Sequence, residues 1–87
     1  MTGFAILGWD GTDAGAPARR AAARDRHLEV ITRFAADGRL KLGVPLFDAE
    51  GSVAGSLMIL DVPDELGARE YLLEEPFARE GVWLSYE

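Results

Sequence analysis

His27 is the only histidine of the chain, and an imidazole is the side chain best suited to give and take a proton near neutral pH. It stands four positions before Ile31 and seven before Phe34, so on a helix it shares their apolar stripe and points inward or sideways. There it could act as general base or acid. A histidine at the margin of a core, satisfied by a backbone carbonyl, is the plainer alternative. Arg24, three positions earlier, falls beside it on the same helix, where a guanidinium could hold an anionic substrate or orient a carboxylate; a solvated arginine is the simpler reading. Glu75 precedes Pro76-Phe77 and could cap that turn, although its carboxylate is one methylene farther out than that of a good capping aspartate.

Other chemistry finds little support. Asp10 and Asp13 lie in a Gly-rich segment after an apolar run and could touch a metal or a substrate hydroxyl, but they read more simply as turn formers. With one histidine, no cysteine and no organised ligand spacing, neither a metal site nor a cofactor is expected. No phosphate loop, dinucleotide fingerprint or nucleophile elbow is present. Trp9, Tyr71, Phe77, Trp83 and Tyr86 could line a pocket, though aromatic residues more often fill cores and interfaces. Nine basic residues against fifteen acidic ones, a net charge of −6, disfavour binding to nucleic acid. Arg19, Arg20, Arg24 and Arg26 then read as a solvated helix face. No apolar run is long enough to span a membrane and Met1-Thr2-Gly3-Phe4 does not open a secretory signal, so a cytoplasmic protein is expected.

The elements that must position these residues follow from periodicity. At 87 residues there is room for one domain, 1–87. Phe4 to Trp9 is a short apolar run that predicts a strand buried on both faces. Residues 10–18 are dense in turn formers and predict a mobile connection. From about Arg19 to Ala36, Leu28, Ile31, Phe34 and Ala35 recur at helical spacing, and Asp37-Gly38 supplies the stop. Arg39 to Phe47 alternates, with Leu40, Leu42, Val44 and Leu46 on one side and Arg39, Lys41 and Pro45 on the other, as in an edge strand. Val53 to Leu60 is apolar at both parities and should be central. Asp64 can cap a short helix carrying Ala68, Tyr71 and Leu72; Pro76 restarts the chain, and Val82 to Tyr86 is the last strand.

The order β-α-β-β-α-β predicts an α+β, ferredoxin-like domain with a four-stranded antiparallel sheet of order 4-1-3-2 and both helices on one face. The strands this topology makes central are the ones apolar on both sides. Two helices cover one face of that sheet and leave the other exposed, and such a patch usually marks an interface. Burying about 600 Å² of apolar area per partner would contribute on the order of 15 kcal/mol before association costs. A homodimer through the sheet face is therefore expected.

Arg24-Asp25-Arg26-His27-Leu28, followed by Asp37-Gly38-Arg39-Leu40 and Gly43, resembles the R-x-x-H-L…G-x-L…G signature of the YciI-like (YCII-related) family of the dimeric α-β barrel group. Glu75-Pro76-Phe77 and Gly81-Val82 are similar to that family's D-P-F/Y segment and the glycine after it. The resemblance implies a dimeric ferredoxin-like domain with a small pocket, in which His27 matches the family histidine and Glu75 stands where the family has the aspartate of an acid–base pair. It also implies lyase-type chemistry in at least one branch, the removal of chloride from a chlorinated hydroxyquinol. Two functions remain: a cofactor-independent enzyme in which His27 and Glu75 move a proton on a small anionic or phenolic molecule held by Arg24, or a module that binds a metabolite or assembles without turnover.

Overall fold

The computed structural model describes residues 3–87. The elements are β1 (Gly3–Asp10), α1 (Ala16–Ala36), β2 (Leu40–Phe47), β3 (Val53–Asp61), α2 (Glu65–Glu74), α3 (Pro76–Arg79) and β4 (Trp83–Tyr86). The strands form one antiparallel sheet ordered β2-β3-β1-β4, the expected ferredoxin-like arrangement with β3 and β1 inside.

Helix α1 begins three residues earlier than the turn-rich composition suggested. Pro17 is tolerated because the first helical amides have no intrahelical acceptor, and Asp13 accepts from both terminal nitrogens, Nη1 and Nη2, of Arg19. That pairing, together with the Ala16 amide donating to the Asp13 carbonyl, gives order to a connection expected to be mobile. At the other end Gly38, with φ of +86°, takes the left-handed conformation, and the Arg39 amide donates to the Phe34 carbonyl. Between these ends Ala16, Ala23, His27 and Phe34 are the buried residues, one inward stripe.

Strand register sorts the side chains into two faces. Phe4, Leu60 and Leu40 lie across β1, β3 and β2 in one row, and Ile6, Met58 and Gly43 in another, with Ile6, Met58 and Leu60 in the core under the helices. Gly8 belongs to the next inner row with Ser56 and Pro45. A Cβ at Gly8 would collide with the indole of Trp83, so glycine is what lets β4 fold its tryptophan over β1. The alternation expected for β2 is broken by a register shift between Leu40 and Leu42: Leu40 turns to the core, whereas Leu42, Val44 and Leu46 face away from it.

The face away from the helices is apolar in three cross-strand rows: Leu42, Ile59 and Ala5; Val44, Leu57 and Leu7; Leu46, Gly55 and Trp9. Trp9 is 41% and Leu42 47% exposed, so in a single protomer β1 is covered on one side only. Among the described residues no helix is long and apolar enough to cross a membrane.

Candidate active site

Helix α2 stops where Pro76 follows Glu75, since the residue before proline is pushed into extended backbone; Glu75 has φ −73° and ψ 112°. The break reverses the role of Glu75. Instead of extending a solvated helix face it caps α3, accepting from the Phe77 amide at 3.1 Å. Its side chain is fully buried, and both oxygens are engaged: Oε1 faces His27 Nδ1 at 2.5 Å, and Oε2 accepts from the Tyr71 hydroxyl. Glutamate therefore serves as a cap here despite its length. Its extra methylene lets one carboxylate reach the cap amide, the imidazole and the phenol together.

His27 presents one ring face to Phe77, with centroids 3.8 Å apart and planes within 7°. It is 8% exposed, and it lines a cavity of about 300 Å³ between α1 and the β2–β3 half of the sheet. Because the backbone N–H of Phe77 and the Tyr71 hydroxyl donate to Glu75, the carboxylate is read as the acceptor for Nδ1–H. Nε2, on the opposite edge of the ring, has no partner among the described residues and is left for the cavity. Burial and the neighbouring Glu75 carboxylate push the Tyr71 hydroxyl well above its ordinary pKa, so it stays protonated as a donor.

Arg24 also lines this cavity and has no ion pair among the described residues. Arg20 lines it too, but its charge is matched: Nη1 donates to both oxygens of Asp10 at 2.8 Å, Nη2 donates to Ser56 Oγ at 2.9 Å, and the guanidinium lies over the Phe77 ring at 4.6 Å. Asp10 is thus part of β1 and of an ion pair, not a turn former, and Arg20 is not on a solvated face. Arg20, Arg24, His27 and Ile31 follow one another at spacings of four, three and four, so the stripe that held His27 already included Arg20. Its charge is what disguised it. Tyr71 carried a weaker signal, four positions before Glu75 at the end of the same helix.

The remaining wall is apolar, from Ile31, Met58 and Phe77 among others. A wider hollow of about 600 Å³ beside the β1–α1 turn shares Arg20 and Arg24 but does not reach His27. Of these two hollows, the smaller one is the one lined by His27. Among the described residues no three His, Cys, Asp or Glu side chains are grouped as a metal site.

The YCII-related domain model matches residues 3–87. No curated protein sequence matches the chain. Among solved structures, 5-chloro-2-hydroxyhydroquinone dehydrochlorinase from Burkholderia phenoliruptrix AC1100, in complex with 2,5-dihydroxybenzoquinone, is similar with a TM-score of 0.83, covering 99% of this chain and 89% of that one at 18% identity. At that identity the likeness is one of fold.

Proposed function

We propose, from the premise that this chain belongs to the YCII-related domain family, that it is a cofactor-independent acid–base enzyme acting on a small anionic or phenolic molecule. The observation that carries the reading is a lone histidine held at Nδ1 by a fully buried carboxylate while its other nitrogen is left for a cavity also lined by Arg24, which has no ion pair among the described residues. Nε2 of His27 takes a proton from the bound molecule and returns it, and Glu75 stabilises the imidazolium formed between the two steps. Arg24 pairs with the negative charge of the ligand. The cavity volume, about 300 Å³, suits a molecule of roughly one ring with its substituents.

The similar dehydrochlorinase supports the class of chemistry, because loss of hydrogen chloride needs a base for one proton and a place for an anion. Proton transfer by a positioned side chain is worth about a hundred- to ten-thousand-fold in rate. A thermal-shift screen of phenols, enols and small carboxylates against the parent and His27→Ala tests the reading. A stabilising ligand that the parent converts, and that His27→Ala converts at least about a hundredfold more slowly, is expected. Unchanged turnover by His27→Ala would discard the mechanism, and a ligand bound without conversion would favour a metabolite-binding module.

We also infer a homodimer through the apolar sheet face. The three rows across β2, β3 and β1 support it, since exposed apolar area of that continuity is usually covered by a partner.

A further inference from the structure

We propose that Tyr71 is a positioning residue of this site: by donating to one oxygen of Glu75 it leaves the other to hold His27 in a single tautomer. The inference rests on the acid–base reading of His27 and adds what makes that residue ready for the work. A carboxylate that accepted only from His27 and the Phe77 amide would have a free oxygen inside the core, and a buried acceptor without a donor costs stability and invites rotation. A partial turn about the last bond of Glu75, short of exchanging its equivalent oxygens, would carry the acceptor out of line with Nδ1. Tyr71 blocks this, because its ring is fully buried and braced edge-on by Phe34 at a centroid distance of 5.0 Å. The phenol is thus fixed independently of the group it holds.

The functional consequence lies at Nε2. An isolated neutral imidazole places its proton on either nitrogen, and only the form with Nδ1 protonated has a lone pair on Nε2 for the ligand. The chain Tyr71 to Glu75 to His27 selects that form before any ligand arrives. Tyr71 itself does not line the cavity.

Because His27 is the only histidine, long-range proton–nitrogen correlation spectra of uniformly labelled protein report its tautomer without ambiguity. The parent is expected to show Nδ1 protonated and Nε2 bare. In Tyr71→Phe the ratio of the two tautomers should fall by about tenfold, the preference one charge-assisted hydrogen bond supplies. An unchanged ratio would overturn the proposal.

A second measurement avoids dependence on the stability of that variant. Biosynthetic 3-fluorotyrosine in a Tyr86→Phe background keeps the ring of Tyr71 and makes its hydroxyl a stronger donor. Charge drawn from Glu75 should then weaken the Nδ1–H bond and move that proton upfield; an unmoved signal would again refute the role. Neither readout needs turnover, so unchanged turnover by His27→Ala would sink the acid–base reading while leaving the tautomer result to stand or fall alone.

Discussion

Glu75 is buried completely, yet it meets a phenol, an imidazole and a backbone amide, and such company is what allows a polar group to sit in a core. The same arrangement fixes how the fold responds to alkali. Burial and the nearby carboxylate raise the Tyr71 hydroxyl above its ordinary value of 10.0. Below that pH both folded and unfolded chains keep the proton, and the contribution is present in full. As pH rises past 10 the unfolded chain loses a proton that the folded chain retains, so unfolding is favoured by up to about 1.4 kcal/mol per pH unit. Urea denaturation between pH 9 and about pH 11 should therefore show falling stability in the parent and a flatter profile in Tyr71→Phe. A slope unaltered by the substitution would mean that Tyr71 is not the group responsible.

At the scale of elements, two ion pairs tie the start of α1 to the β1 end, and they differ in burial. Arg20 and Asp10 have side chains only 17% and 7% exposed, and the guanidinium also reaches Ser56 on β3, whose hydroxyl accepts from Trp83 Nε1 at 3.4 Å. One arginine thus links α1, β1, β3 and, through Phe77, α3. Removing its carboxylate leaves a half-buried cation unmatched, and Asp10→Ala is expected to cost about 2 to 4 kcal/mol in urea unfolding. Asp13 and Arg19 are more open to solvent, with side chains 55% and 36% exposed. Arg19 lowers the Asp13 carboxyl to about 2, but Asp13→Ala should shift the unfolding midpoint hardly at all. Equal losses in the two variants would contradict a stability role set by burial. Neither pairing was legible from composition, because clustered arginines on a helix and aspartates in a Gly-rich turn match a solvated surface just as well.

For the whole molecule, the question is what covers the outer face of the sheet. Leu57 stands at its middle, between Val44 and Leu7. Leu57→Glu places a charge where the inferred partner would pack, and light scattering at micromolar concentration should return the monomer mass for the variant and twice that for the parent. A monomeric parent would remove the dimer. The strand parity that motivates it was readable in β1 and β3, whose apolar residues fall on both sides. In β2 it was readable only in part, since a bulge between Leu40 and Leu42 moves one leucine from the row to the core.

Periodicity and punctuation in the 87 residues determined the order of elements, the sheet topology, the helix stop at Gly38 and the stripe that holds His27, because each depends on a few neighbours along the chain. The family resemblance already implied that Glu75 pairs with His27, 48 positions away, but tertiary structure alone decided the atoms through which they meet, that Arg20 turns to Asp10, and that Tyr71 closes the set. A hydrogen bond needs its atoms placed to within a few tenths of an ångström, and that precision comes from the packing of α1 against α3 and the sheet, which spacing along a chain does not carry.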